Sequence, residues 1–314
     1  MWRFLVWSLR LRRVEYRIAE LPIYLIPVLL VVPDASAFSG PVFWEGLVIF
    51  LFLFSFGDLL NCLADRDLDS IYKPHLTEAV DGLSPRGVLL QAILSAAAAL
   101  GLTLHLAWLL DRWLLVPLVA LGLFLAYAYS VEPIRLKARG LWQLAFYWLG
   151  LFTGPMLFSA MLFEPWPSPA VTAVAVCYGL LQTGVILVNT AEDFPEDRQM
   201  GVRTAIVALG LRGGMLFATL LTFFGGLGLI AALVSLFRVR QVPWAWCWGL
   251  LPLLVCCVLV SLAVTRVWQN VRLAAEPAAI ATVKRSARWV PLWITSIAVA
   301  CLLVAAAVWL GSTR

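Results

Sequence analysis

Long apolar runs separated by short polar segments make up most of the chain. Nine runs approach or exceed the roughly 20 residues that a helix needs to cross a bilayer. They lie near residues 18–33, 41–62, 86–110, 113–131, 141–163, 169–190, 211–237, 243–265 and 289–311. The runs are continuous and lack the alternation of a membrane barrel, so they predict helices. We therefore expect an all-α fold, a polytopic membrane bundle of about nine transmembrane helices.

Composition supports the same fold class. Of the 314 residues, 62% are hydrophobic and 13% are charged, whereas soluble domains carry about 25% charged residues. We expect a single integral membrane domain over residues 1–314. The basic, aromatic segment 1–17 lacks the compact apolar core of a cleavable signal peptide. We predict that it is a helix lying in the membrane interface.

The basic residues predict the orientation of the chain. With nine spans, 19 of the 23 Lys and Arg residues fall on one side of the membrane, and an excess of these residues marks the cytoplasmic side. This places the N-terminus and the loops at 63–85 and 191–210 in the cytoplasm, at the cell inner membrane if the source is bacterial. The net charge of +5 then reflects topology and contact with anionic membrane lipid, and nucleic acid is not an expected partner.

Two polar motifs with the same spacing close two of the apolar runs. Both have the pattern Asn-x3-Asp-x3-Asp, and residues four apart on a helix lie on one face. The first ladder consists of Asn61, Asp65 and Asp69. The second ladder consists of Asn189, Asp193 and Asp197. Pro195 would interrupt a regular helix within the second ladder, so the shared-face argument is stronger for the first.

Acidic residues are concentrated around the two ladders. Residues 58–81 and 192–197 hold ten of the 18 acidic residues. Solvated loop charge is the structural explanation, but carboxylates at a membrane edge are usually functional, and they repel one another unless a cation lies among them. Carboxylate and amide oxygens favour a hard cation such as Mg²⁺. The six cysteines and two histidines are scattered, so we predict no disulfide framework and no zinc site.

Basic residues near the ladders suggest an anionic substrate. Arg135, Lys137 and Arg139 alternate in the loop after the fourth run. They are either positive-inside anchors or a phosphate clamp, and Arg17 has the same two interpretations. Mg²⁺ in proteins often bridges carboxylates to substrate phosphates, and a diphosphate beside an apolar cavity would carry a lipophilic group. An isoprenyl diphosphate satisfies both requirements. The apolar positions Leu76, Val80 and Leu83 predict a short helix that lies over the membrane mouth and ends near Gly82.

These motifs together resemble those of the UbiA-type intramembrane prenyltransferase superfamily. The matching residues are Asn61-x3-Asp65-x3-Asp69, Asn189-x3-Asp193-x3-Asp197 with Gly201 and Thr204, and Tyr129-Ser130-x2-Pro133-x-Arg135-Leu136-Lys137-x-Arg139-Gly140. The resemblance extends over nearly the whole chain and implies nine helices around a central cavity with cytoplasmic cap loops. This chain departs from the family in having Cys62 where many relatives have Asp. It also reads Lys73-Pro74-His75-Leu76-Thr77 where they commonly read Lys-Pro-x-Arg-Pro.

The resemblance implies roles for individual residues. The implied Mg²⁺ ligands are Asn61, Asp65, Asp69, Asn189, Asp193 and Asp197. Among them, the implied catalytic residues are Asp65, Asp69, Asp193 and Asp197. The implied diphosphate contacts are Arg17, Lys73, Arg135, Lys137, Arg198 and Arg203. The implied reaction is Mg²⁺-dependent transfer of an isoprenyl group from its diphosphate, through an allylic carbocation, to a lipophilic acceptor, which is aromatic in the common members.

Two other functions compete with prenyl transfer. A terpene cyclase of the same superfamily would ionise the same diphosphate and capture the cation with its own double bonds, without an acceptor. A cation transporter would use the carboxylates as a pathway, but transporters place their ion sites near the bilayer midplane. Both ladders are instead predicted at one cytoplasmic edge. Demand for an acceptor separates a transferase from a cyclase, and cation flux independent of diphosphate would indicate a transporter.

Overall fold

The computed structural model describes residues 2–312, and the regular structure in that range is helical. It contains one isolated β-bridge and no named strand, which confirms the predicted all-α class. The α-helices are α1 (Trp2–Leu11), α2 (Arg17–Val31), α3 (Pro41–Ala64), α4 (Arg66–Tyr72), α5 (Pro74–Leu83), α6 (Pro85–Leu110), α7 (Leu115–Ser130), α8 (Trp142–Ala145), α9 (Gly154–Met161), α10 (Pro169–Thr190), α11 (Phe194–Gln199), α12 (Ala205–Val239), α13 (Leu250–Leu273), α14 (Glu276–Ala287) and α15 (Val290–Ser312). A π-helix (Phe146–Thr153) joins α8 to α9.

Helices occupy all nine of the predicted apolar runs. Within residues 2–312, seven helical stretches are long and apolar enough to cross a membrane. They are Pro41–Ala64, Pro85–Leu110, Trp142–Met161, Pro169–Gln199, Ala205–Val239, Ala245–Leu273 and Val290–Ser312. The other two runs form α2 and α7, which have 15 and 16 residues. The nine predicted runs are thus seven full-length helices and two shorter ones.

The chain folds as two compact units. The first contains the residues up to Glu20 together with Ala35–Leu136, and the second contains Leu21–Asp34 and the described residues from Lys137 onward. In the first unit α3 packs against α6 and α7, and in the second α10 packs along α12. The first ladder therefore belongs to the first unit and the second ladder to the second.

A small apolar core ties the N-terminal helix of the first unit to the segment after the first ladder. α1 packs on α5, and a Cβ added to Gly82 would lie 2.5 Å from the Trp7 ring, so only glycine allows this close approach. The core consists of Leu11, Leu59, Leu60, Cys62, Leu76, Ala79, Val80, Leu83, Val88 and Ala92. The short helix that was predicted to end near Gly82 is present as α5, which ends at Leu83. Ser84 caps the following helix by accepting a hydrogen bond from the amide of Gly87 (3.2 Å).

α10 is the interior helix of the second unit. Within its most apolar stretch 67% of the residues are buried, against 28% for α6 in the first unit. Glycines on both helices let α12 approach α10 closely. A Cβ on Gly184 of α10 would lie 2.5 Å from the Thr222 hydroxyl of α12. A Cβ on Gly225 of α12 would collide with the main chain of α10 at Leu181. Such small-residue contacts are typical of helices packed within a membrane.

Large apolar side chains cover the outward faces of the long helices. Leu90, Trp108, Phe124, Phe224 and Leu259 are each more than half exposed. A soluble protein rarely exposes so much contiguous apolar surface, whereas the hydrocarbon core of a bilayer covers it without cost. The exposed surface therefore agrees with the membrane location predicted from the apolar runs.

Candidate functional site

The first ladder lies where α3 ends and α4 begins. Asp65 has non-helical backbone angles (φ −98°, ψ 9°) and separates the two helices. The main chain nevertheless keeps helical hydrogen bonds through the bend. The amide of Asp65 donates to the carbonyl of Asn61 (2.9 Å), and the amide of Asp69 donates to the carbonyl of Asp65 (2.7 Å). The four-residue spacing predicted from the sequence thus persists through the break.

The carboxylates of this segment differ sharply in exposure. Asp69 is 4% exposed and the side chain of Asp65 is 12% exposed, whereas the side chain of Asp67 is fully in solvent. The two ladder carboxylates are therefore turned inward, and the carboxylate between them is turned outward. Burying a carboxylate costs free energy unless cations or hydrogen bonds compensate it.

Two arginines lie at this ladder, and one of them is paired with a carboxylate. Arg135 lies 3.6 Å from Asp65, and Arg13 donates a long hydrogen bond (3.4 Å) to the side-chain oxygen of Asn61. The amide nitrogen of Asn61 donates in turn to Asp65 (2.9 Å) and, at 3.4 Å, to the hydroxyl of Ser130. The first ladder is therefore a connected network of amide, carboxylate and guanidinium groups.

A second ionic cluster lies one turn earlier on α3. Arg17 pairs with Glu20 and with Asp58 (2.9 Å), and it also donates to the carbonyl of Arg12 (2.6 Å). The side chains of Arg17, Glu20 and Asp58 are 14%, 16% and 20% exposed. In this arrangement the guanidinium of Arg17 is paired with two carboxylates of the first unit.

The second ladder is built from three short segments. α10 ends at Thr190, a 3₁₀ turn spans Ala191–Asp193, and α11 begins at Phe194. Pro195 lies in the first turn of α11, where a missing amide hydrogen is tolerated. The interruption predicted from Pro195 is confirmed, and it falls between Thr190 and Phe194.

The surroundings of the second ladder are more open. Asn189 and Asp193 are exposed and Asp197 is half-buried. Lys137 is only 8% exposed and interacts electrostatically with Asp197. The neighbouring Glu196 accepts a hydrogen bond from Lys284 (2.7 Å), which raises the pKa of that ammonium.

The six predicted diphosphate contacts occupy different environments. Arg135 and Lys137 lie beside ladder carboxylates, as described above. Lys73 and Arg203 are exposed. The carbonyl of Arg203 accepts a hydrogen bond from the amide of Gly140 (2.6 Å), and Arg198 pairs with Glu276 at 3.2 Å. The structure thus brings two of the six basic side chains to a ladder within its own unit.

The donor atoms of the ladders fit magnesium. Within residues 2–312, no three His, Cys, Asp or Glu side chains are grouped closely enough to hold a metal ion by themselves. Mg²⁺ does not require such a cage, because it commonly takes one or two carboxylates and completes its shell with water and substrate phosphate. The cysteine within the first ladder, Cys62, is 1% exposed and directs its sulfur towards the carbonyl of Leu11 (3.8 Å). The oxygens of the ladders are therefore a hard donor set.

Sequence reasoning missed two participants. Arg13 contacts the first ladder from a segment with no recognisable motif, and Lys284 reaches the second ladder region from α14, 88 residues away in the chain. The basic run at residues 10–17 marks this segment as cationic, but its spacing does not point to a contact between Arg13 and the ladder. No spacing in the sequence points to Lys284.

A profile of the UbiA prenyltransferase family matches residues 22–283, which is most of the chain. The chain belongs to this family. Family membership and the seven long apolar helices make it an integral, multi-pass membrane protein. A bacteriochlorophyll synthase 33 kDa chain of Cereibacter sphaeroides is 34% identical over 155 residues, which cover 48% of each chain. A 2-carboxy-1,4-naphthoquinone phytyltransferase of Synechocystis is 25% identical and covers 76% of this chain and 80% of its own.

The fold is similar to that of solved UbiA homologues. A UbiA homologue from Archaeoglobus fulgidus, bound to DMAPP and Mg²⁺, superposes with a TM-score of 0.65, covers 93% of this chain and 99% of its own, and is 15% identical. At that identity the likeness concerns the fold. The chain spans about half the length of the bacteriochlorophyll synthase chain that it matches.

Proposed function

We propose that this protein is a Mg²⁺-dependent prenyltransferase that moves an isoprenyl group from an isoprenyl diphosphate to a lipophilic acceptor within the membrane. The observation that carries the proposal is the first ladder. Inward-facing carboxylates and guanidinium groups lie side by side at the end of an apolar helix. Carboxylates can bind a divalent cation and guanidinium groups can bind phosphate, so the first ladder offers both kinds of group that a metal–diphosphate site requires.

The residues have distinct roles in this proposal. Asp65, Asp69, Asp193 and Asp197, with the amides of Asn61 and Asn189, would hold Mg²⁺, which neutralises diphosphate charge and makes it a better leaving group. Arg135 and Lys137 would contact the diphosphate oxygens, and we retain Arg17, Lys73, Arg198 and Arg203 as further candidates. The carbon–oxygen bond breaks with its electron pair on the diphosphate, leaving an allylic cation. The acceptor then attacks that cation and loses a proton.

The relatives support a transferase with a ring-bearing acceptor. One is named for bacteriochlorophyll synthesis and another for phytyl transfer to a carboxynaphthoquinone. We infer that the acceptor of this chain is likewise a lipophilic molecule with a ring system. The membrane supplies the route for such a substrate, because both the prenyl chain and a lipophilic ring partition into the bilayer.

The proposal includes an orientation. The lopsided distribution of Lys and Arg supports a cytoplasmic N-terminus with both ladders on the cytoplasmic side. A water-soluble diphosphate could then reach the basic side chains from the cytoplasm while its isoprenyl tail enters the membrane. Labelling of single cysteines introduced at Asp67 and at Ser39 in sealed vesicles tests this, because only one of them should react from each side.

Product analysis separates a transferase from a cyclase. Purified protein is incubated with Mg²⁺ and dimethylallyl, geranyl, farnesyl or geranylgeranyl diphosphate, with and without a lipid extract or a chlorin or naphthoquinone acceptor, and the organic phase is examined by mass spectrometry. We expect slow diphosphate release alone and rapid release with formation of a conjugate when the acceptor is present. Rapid release without acceptor, giving a cyclic hydrocarbon or alcohol, would replace the proposal with the cyclase. No release under any condition would contradict both.

A further inference from the structure

α14 connects two of the long apolar helices and packs beside the second ladder. It lies between α13 and α15, and it contacts α10 and the 3₁₀ turn of the second ladder. Its buried residues, Ala279, Val283 and Ala287, are four residues apart and therefore share one face. The guanidinium of Arg212 on α12 donates to the carbonyl of Ala274, just before α14 begins (3.2 Å). α14 is thus fixed to the second unit by its apolar face and near its first residue.

α11, which carries Asp197, is too short to hold its own orientation. It has six residues, and isolated helices shorter than about 12 residues are marginal in water. The buried side chain of Phe194 anchors its first turn, and the side chain of Thr204 is hydrogen-bonded to Asp197. The remaining support for α11 must come from the elements packed beside it.

α14 contacts α11 through the residues on both sides of Asp197. Lys284 donates to the Oε1 of Glu196 (2.7 Å), and Arg198 donates to Glu276 (3.2 Å). Successive residues are about 100° apart around a helix, so Glu196 and Arg198 leave α11 on either side of Asp197. Glu276 and Lys284 are eight residues apart, which is roughly 12 Å along α14. Two contacts at this separation oppose rotation of α11 and, with it, reorientation of Asp197.

The two ion pairs constrain side-chain direction more than they stabilise the fold. Within residues 2–312, the Oε2 of Glu196 is buried without a hydrogen-bond partner, so Lys284 is the group that compensates this carboxylate. Arg198 and Glu276 are both exposed, and the ammonium of Lys284 is partly exposed. Water screens such pairs, so each contributes little to the free energy of unfolding. What each pair does restrict is the position of the α11 side chain that it holds.

We propose that Lys284 and Glu276 are positioning residues for the metal site of the second ladder. By holding Glu196 and Arg198, they keep α11 in the rotation at which Asp197 can bind the cation. This inference rests on the proposed function, which assigns Asp197 to Mg²⁺. Groups that orient a metal ligand without touching the metal commonly change the metal affinity when they are removed, so the role is measurable.

Two substitutions on α14 separate positioning from simple electrostatics. Lys284→Gln removes a positive charge near the ladder, and Glu276→Gln removes a negative charge. Electrostatics alone predicts that the first change tightens cation binding and the second weakens it. Positioning predicts that both weaken it, because each releases one side of α11. We expect each variant to bind Mn²⁺ about fivefold more weakly, and the double variant about 20-fold more weakly.

Mn²⁺, used in place of Mg²⁺, gives a readout that does not depend on turnover. Its binding is measured by electron paramagnetic resonance in an Asp65→Ala background, which confines it to the second ladder. Arg285→Gln is the matched control, because it removes an exposed positive charge next to Lys284 and should leave the affinity unchanged. In the otherwise unchanged protein, each α14 variant should raise the Mg²⁺ concentration for half-maximal turnover about fivefold, with less than about a twofold change in maximal rate.

The outcomes separate this inference from the proposed function. Effects of opposite sign in the two variants, unchanged affinity in either, or a loss that appears only with a lowered melting temperature would overturn the inference. Lys284→Arg keeps the charge and the donors and should retain most of the affinity. If Mn²⁺ binding in the Asp65→Ala protein is abolished by a further Asp193→Ala change while the α14 variants bind normally, only the role of α14 fails. Absence of Mn²⁺ binding that depends on Asp193 would contradict the metal site of the proposed function itself.

Discussion

The two ladders have the same sequence spacing and very different surroundings. In the first ladder, Asp69 is buried, Asp65 is nearly so, and arginines contact Asn61 and Asp65. In the second ladder, Asn189 and Asp193 are exposed, and Lys137 is the buried cation that interacts with Asp197. A four-residue spacing therefore determines which side chains can share a face, but the neighbouring elements determine their electrostatic environment.

The difference suggests that the first ladder contributes to both stability and function, and the second mainly to function. Removing a side chain from the first ladder should disturb the arginine network and hence both stability and function, because buried charges would lose their partners. Removing one from the second ladder should affect function with little change in stability, because exposed groups contribute little to folding.

Loss of a ladder aspartate should have the largest effect. We expect Asp65→Ala and Asp193→Ala each to reduce turnover by about a thousandfold or more, because charge stabilisation of the leaving diphosphate is lost. The melting temperature should fall in Asp65→Ala and stay nearly unchanged in Asp193→Ala. The control is Asp67→Ala, whose side chain is fully exposed between the two ladder carboxylates. Normal turnover in either ladder variant would remove that residue from the site.

Replacement of Arg135 should come next. Arg135→Gln removes a cation 3.6 Å from Asp65, and we expect turnover to fall about 100-fold, in line with the loss of one or two charged hydrogen bonds. Arg198→Gln, at an exposed side chain paired with Glu276, should reduce turnover less than about fivefold. The comparison uses initial rates at saturating Mg²⁺. Equal losses in the two variants would contradict the contrast between the ladders.

The ionic cluster one turn before the first ladder should matter chiefly for stability. Asp58→Asn keeps the size of the side chain but leaves Arg17 with a weaker acceptor, and we expect a loss of about 2 kcal/mol in the free energy of unfolding. Chemical denaturation in detergent micelles followed by tryptophan fluorescence measures it. An unchanged denaturation midpoint would show that Glu20 alone compensates Arg17.

The exposed pair near the second ladder should matter least for stability. Lys284→Gln breaks the 2.7 Å contact with Glu196. The side chains of Lys284 and Glu196 are 43% and 23% exposed. Because solvent screens such a pair, the free energy of unfolding should fall by only about 0.5 kcal/mol. The same denaturation measurement applies, with Arg285→Gln on the same helix as the control. A loss as large as that in Asp58→Asn would mean that the second unit depends on its charges as much as the first.

Much of the fold followed from the sequence. Continuous apolar runs predicted the helices, and the motif spacing agrees with the main-chain hydrogen bonds that link Asn61, Asp65 and Asp69, because both depend on local periodicity. The break between two helices at Asp65 was not predicted. Proline at 195 correctly predicted the interruption in the second ladder. Local periodicity carries no information on which distant segment packs beside a ladder, so the contacts of Arg13 and Lys284 could not be derived from it. Local periodicity also could not predict the partners of Arg17, because its guanidinium pairs with two nearby carboxylates, Glu20 and Asp58.

If both ladders hold Mg²⁺ against the diphosphate, binding of the substrate must depend on the metal. Binding of radiolabelled geranylgeranyl diphosphate to the purified protein is measured with Mg²⁺ and with excess EDTA, in the wild type and in Asp65→Ala, Asp193→Ala and Asp67→Ala. We expect binding that requires Mg²⁺, is lost in Asp65→Ala and in Asp193→Ala, and is retained in Asp67→Ala. Binding that is indifferent to Mg²⁺, or equal in all four proteins, would contradict it.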